Sequence, residues 1–131
     1  MNGESRSQRA QQPGDLGRLF EARLNAADLE GLLALYEPDG VLHFPPGNVA
    51  TGTEAIRAAY EQALAGKPHI GLEPKSALEA GDLALLSNGW TMSFTGPDGQ
   101  PVTMSGITAE VARRQADGTW LWVIDDPTIG G

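Results

Sequence analysis

Apolar residues recur with the period of an α-helix between Pro13 and Gly66, and with the period of a β-strand from His69 onward. Leu16, Leu19, Phe20, Arg23 and Leu24 fall on one helical face, with Pro13 tolerated in the first turn, and predict a first helix that packs by a Leu/Phe stripe. Asn25-Ala26-Ala27-Asp28 breaks that helix and supplies a new N-cap, after which Leu29, Leu32, Leu33 and Tyr36 form a second stripe that Pro38-Asp39-Gly40 ends in a turn. Val41 to Phe44 reads as a short strand stopped by Pro45-Pro46-Gly47-Asn48. Thr53 is placed to cap a third helix, whose buried stripe is Ile56, Ala59, Tyr60, Ala63 and Leu64.

The strand-period half predicts segments near 69–80, 83–95, 101–114 and 119–126, separated by hairpin turns at Gly81-Asp82, Gly96-Pro97-Asp98-Gly99 and Asp117-Gly118. Asn88, Trp90, Met92 and Phe94 share one parity and hence one sheet face. In the next strand the apolar set changes parity, from Val102/Met104 to Ile107/Ala109/Val111, which predicts a bulge near Ser105-Gly106. Three helices followed by a meander of long antiparallel strands is an α+β plan, with the helices on one sheet face.

A chain of 131 residues supplies one domain. Residues 1–12 are almost wholly polar and are expected to be a disordered tail, leaving 13–131 as the domain. Nine Lys+Arg against seventeen Asp+Glu give a net charge of −8, a field that repels phosphate backbones and argues against nucleic acid as a partner. With no cysteine there is no thiolate nucleophile and no cysteine-ligated metal, and two histidines make a histidine-rich metal site unfavourable. No glycine-rich phosphate loop joins a strand to a helix, so neither metal nor cofactor is expected. The apolar runs are short and the N-terminus is polar, so the expectation is a cytoplasmic protein without membrane association.

Four phrases in order, Leu24-Asn25-Ala26-Ala27-Asp28-Leu29-Glu30-Gly31-Leu32, Tyr36-Glu37-Pro38-Asp39-Gly40-Val41, Gly52-Thr53-Glu54-Ala55-Ile56 and Asp117-Gly118-Thr119-Trp120 with Val123-Ile124-Asp125, resemble the NTF2-like (cystatin-like) superfamily, in particular its ketosteroid-isomerase-like, SnoaL-like and DUF4440 branches. The resemblance implies a strongly curved, mostly antiparallel sheet wrapped on helices as a cone, an apolar pocket for a small hydrophobic molecule, and a homodimer formed through the outer sheet face. It does not carry over the isomerase chemistry, which needs an Asp base and an oxyanion hole of a Tyr and a protonated Asp. The matching positions hold Phe20, Phe44, and Thr108 or Ala109.

Asp125 is the leading catalytic candidate, as a base at the rim of the pocket, against the alternative that Asp125-Asp126-Pro127 only terminates the strand. Strand parity sets Leu121, Val123 and Asp125 against Trp120, Trp122 and Ile124; dimerisation through the outer face places the tryptophans outward and Asp125 inward. His43 is a possible acid/base partner of Asp125, although the implied alignment turns Phe44 inward and His43 outward. Phe20, Tyr36, Phe44, Tyr60, Asn88, Trp90, Met92, Phe94 and Val123 are expected to line the pocket, the aromatic residues equally serving as core. Glu110 with Arg113-Arg114 reads as a solvated strand face.

Overall fold

The structure is a computed structural model and describes residues 8–44 and 47–128. Helix α1 (Asp15–Asn25) buries Leu16, Leu19 and Leu24, and α2 (Leu29–Leu33) begins at Asp28, whose carboxylate accepts the Gly31 N–H at 3.0 Å as a helix N-cap should. Strand β1 (Tyr36–Phe44) pairs with β2 (Asn48–Thr51), and α3 (Thr53–Ala65) follows, burying Ile56 and Tyr60. Strands β3 (His69–Ala80), β4 (Leu83–Thr95), β5 (Pro101–Ile107), β6 (Ala109–Arg114) and β7 (Trp120–Asp126) complete one seven-stranded sheet. Its order is β2-β1-β7-β6-β4-β3, with β5 on β4; every pair is antiparallel except β1–β7. The sheet is curved and unclosed, an α+β arrangement in which α1 packs on β3 and β7, and α3 on β1 and β2.

Several local expectations are corrected by pairing. Tyr36 opens a strand instead of closing a helix, and Pro38-Asp39-Gly40 lies within a bulge of β1, where the pairing with β7 shifts between Tyr36 and Val41. Gly40 is needed there: a Cβ would sit 3.0 Å from the Glu37 carbonyl and 3.3 Å from that of Trp122. The segment after the prolines is a strand, and α3 is preceded by Gly52 at φ +88° with no side-chain cap from Thr53. Of the expected tail, Ala10 bridges to β7, its carbonyl accepting the Trp120 N–H at 2.9 Å, and the Gln8 carbonyl accepts from Arg23 of α1 at 2.6 Å; residues 1–7 lie outside the described residues.

The larger correction concerns where the sheet bulges. Pairing of β4 with β5 and β6 runs in unbroken register from Thr95↔Pro101 to Leu83↔Arg113, so there is no bulge at Ser105-Gly106. Val102, Met104, Gly106, Thr108, Glu110 and Ala112 therefore all face the helices, while Ile107 faces out. The bulge is instead in β7, opposite Val111 and Ala112. It brings Trp120, Trp122 and Asp125 onto the same inner face, contrary to the outward placement of the tryptophans, and leaves Ile124 outside.

Candidate functional site

The middle of the inner sheet face carries a row of buried polar side chains. Tyr36 at the start of β1 donates its hydroxyl to Asp125 Oδ2 at 2.6 Å, and Tyr60 of α3 lies 2.6 Å from the same hydroxyl oxygen. Since the single Tyr36 proton is directed at the carboxylate, Tyr60 donates to Tyr36. Asp125 stands directly opposite Glu110 in the β6–β7 ladder, a placement that brings side chains on one face to within about 5 Å at Cβ. Glu110 in turn accepts from Asn88 Nδ2 at 3.3 and 3.4 Å, and the Asn88 backbone N–H is held by Thr108 Oγ1 at 2.9 Å. All six members of the row are buried, Glu110 and Asp125 at 4% and 5% exposure. Trp122 packs over it with ring centroids 5.2 Å from Tyr36 and 5.7 Å from Phe20.

Burial sets the protonation of this row. Removal from water pushes Asp125 up to about 6, a rise that the Tyr36 hydrogen bond opposes and the Asp126 charge assists. Burial and then the Asp125 charge push Glu110 up to about 8, against the hydrogen bonds of Thr108 and Asn88. The Trp122 indole N–H also favours the charged Glu110, although among the described residues it meets no partner in full hydrogen-bond geometry. Tyr36 and Tyr60 are driven well above the ordinary phenol value by burial and by Asp125, so both stay protonated. Both carboxyls are thus raised, Glu110 further than Asp125, and two facing acids in a buried site resist carrying two charges at once.

The structure brings together Asp125, Tyr36, Tyr60, Phe20 and, through Glu110, Asn88. Trp90 is buried with its ring against Gly106, where a Cβ would come within 2.9 Å, and its indole N–H donates to the Pro127 carbonyl at 2.7 Å. Met92 and Phe94 continue the same face of β4, half-buried, and Phe44 packs half-buried on the core from the end of β1. Val123 sits in the β7 bulge, half-buried. His43 does not meet Asp125. Leu42 turns inward and His43 outward, while the β7 bulge sends Asp126 to that side; His43 Nδ1 lies 2.9 Å from Asp126 Oδ1 and 3.3 Å from Thr128 Oγ1.

Glu110 is the member that the sequence reading assigned to the solvent. Its signal is parity: it lies six residues from Met104 in one unbroken register of β5 and β6 against β4, and only the expected bulge turns it outward. Among the described residues no three His, Cys, Asp or Glu side chains converge as metal ligands would, and no helix is long and apolar enough to cross a membrane.

Residues 16–126 match the family model of the SnoaL-like domain. Solved structures share the fold: a ketosteroid isomerase-like protein from Erwinia carotovora atroseptica (TM-score 0.76, 19% identity, covering 86% of this chain and 89% of that one) and an NTF2-like protein with a cystatin-like fold from Novosphingobium aromaticivorans (0.72, 21%, 86% and 75%). An NTF2-like family protein from Streptomyces avermitilis is similar over 92% of this chain and 96% of its own (0.74, 20%). No curated protein matches the sequence.

Proposed function

The chain belongs to the SnoaL-like family, on an NTF2-like fold, and from that premise we propose that it binds a small, largely apolar molecule against the inner sheet face and moves protons on it without a cofactor. The observation that carries this reading is the burial of Asp125 and Glu110 side by side on the inner sheet face, at the end of a tyrosine chain. Asp125 is the base that takes a proton from the ligand, and Glu110 is the acid that gives one back at another atom. Tyr36 holds Asp125 in place and favours its charged form. A proton taken at one position and returned at another serves isomerisation or cyclisation; returned to a leaving hydroxyl, it serves dehydration.

The test is a panel of small cyclic enones and β-hydroxy ketones, with formation or loss of the conjugated product read by absorbance. On any substrate found, Asp125→Asn is expected to lower kcat by about 10²–10⁴-fold in a variant that still unfolds cooperatively. A variant as fast as the parent contradicts the assignment.

We also propose that a second copy covers the outer face. Leu78, Leu85, Val111, Ile124 and Val41 are successive cross-strand partners over β3, β4, β6, β7 and β1, and Leu78, Leu85 and Ile124 are 65%, 50% and 44% exposed. A continuous apolar row of this kind is what a homodimer interface covers. Sedimentation should show a dimer that Leu85→Arg converts to monomer; a monomeric parent at high concentration contradicts this.

A further inference from the structure

A cavity of about 190 Å³ lies between the first turn of α1 and the bulge of β3, and Asn88 is in its wall. The sequence makes this space with small residues. Gly14 has an ordinary helical backbone, φ −66° and ψ −18°, so glycine is not required there for conformation, and a Cβ built on it meets nothing within 4 Å. At Gly17 a Cβ would stand 3.4 Å from Asn88 Oδ1. Across the space, the register shift between Pro74 and Ser76 bends β3, and Leu86 supplies an apolar wall.

Asn88 joins this cavity to the polar row. Its Nδ2 is engaged by both Glu110 oxygens, which leaves Oδ1 as the acceptor offered to a ligand. An apolar cavity of roughly 150 Å³ holds benzene, so this one has the size for one six-membered ring with a small substituent. Lys75, also in the wall, has its ammonium 3.4 Å from the Glu73 carboxylate, so the two carboxyl groups beyond Asn88 and the net charge of −8 disfavour an anion. We propose that this cavity seats a neutral single-ring alcohol or phenol, and that Asn88 is the positioning residue that accepts its hydroxyl and sets it before Glu110. The inference rests on the proton-transfer reading for its purpose, but on the cavity and Asn88 for its geometry.

Phenol, benzene and benzoate, titrated separately into the ¹⁵N-labelled full chain, test it. Phenol should give saturable shifts at the Asn88 side-chain amide and at the Gly14 and Gly17 backbone amides. Benzene, which lacks the donor, should bind about 3–10-fold more weakly, and benzoate more weakly still. Asn88→Leu should remove the preference for phenol over benzene. Gly14→Phe, filling the space from an unstrained backbone position, should weaken both by more than about tenfold, as loss of a preformed apolar seat does. Unchanged affinity in Gly14→Phe, no saturable binding, or shifts centred on Phe20 and Phe44 with Gly14 and Gly17 unmoved would overturn it. Asp125→Asn separates the two claims: phenol that still shifts Asn88, Gly14 and Gly17 saturably in this variant supports the seat, since Asp125 is outside the cavity wall, while the rate reports on the proton-transfer reading. A seat that binds phenol while Asp125→Asn costs no rate sinks the proton-transfer reading alone.

Discussion

On the helix side of the sheet, β4, β6, β7 and β1 place Asn88, Glu110, Asp125 and Tyr36 in the interior, whereas the outer side of the same strands presents Leu85, Val111, Ile124 and Val41. A sheet folded for stability alone would carry these two sets the other way round. Polar groups inside cost stability unless hydrogen-bonded, and this row meets that demand with direct bonds from Tyr60 through Tyr36 to Asp125 and from Asn88 to Glu110. The lesson lies in the contact that stays unfavourable. Two carboxyls face each other across β6 and β7, an arrangement that resists holding two charges and keeps a proton inside the protein.

The largest effect expected from breaking this contrast is at Glu110. Burial raises its pKa above the unfolded value, so the folded state binds the extra proton between about 4.5 and 8, and its stability falls as pH rises through that window. Glu110→Gln removes the cost: the variant should be more stable than the parent at pH 9 by on the order of 4 kcal/mol and nearly equal to it at pH 5, by thermal or urea unfolding. A parent whose stability is flat from pH 5 to 9 would contradict this. Activity should follow a bell, rising as Asp125 ionises near 6 and falling as Glu110 loses its proton near 8.

A smaller effect is expected at Tyr36. Tyr36→Phe removes the donor that favours ionised Asp125, so the acid limb of the bell should move to higher pH and stability should drop by about 1.5–3 kcal/mol. An acid limb that stays in place would separate Tyr36 from the base. The smallest change belongs to the outer face. Leu85→Arg should alter the association state while leaving the unfolding free energy of the monomer within about 0.5 kcal/mol, because the side chain is half exposed.

Most elements were legible in the sequence. The stripes of α1 and α3, the N-cap at Asp28 and the limits of β3, β4 and β7 follow from periodicity and turn residues. Of the buried polar row, Asp125 at the end of an apolar strand and Tyr60 on an apolar helical stripe stand out in the sequence, and Tyr36 does too, although it opens β1 and does not close a helix. Legibility failed where polar residues occupy the inner face. Gly106, Thr108 and Glu110 read as outward positions, so a bulge was inferred in the straight strand, and the true bulge in β7 passed unnoticed behind Trp120 and Trp122. The two errors differ in cause: in β5–β6 alternation assumes that the apolar set faces the core, which a polar interior violates, whereas in β7 a strict period of two forces Trp122 and Asp125 onto opposite faces, and the bulge puts them on one. The His43–Asp126 pair is hidden by the β7 bulge as well.

The central claim is that the two facing carboxyls hold a proton at neutral pH, and ¹³C NMR titration of the side-chain carboxyls measures it directly. Two resonances, assigned to Asp125 and Glu110 by Asp125→Asn and Glu110→Gln, should titrate above the ordinary carboxylate range, in coupled steps near 6 and 8. Removing either residue should lower the other's midpoint where the facing charge contributed to it, most clearly for Glu110 in Asp125→Asn. Both resonances titrating near 4, each indifferent to loss of the other, would contradict the account.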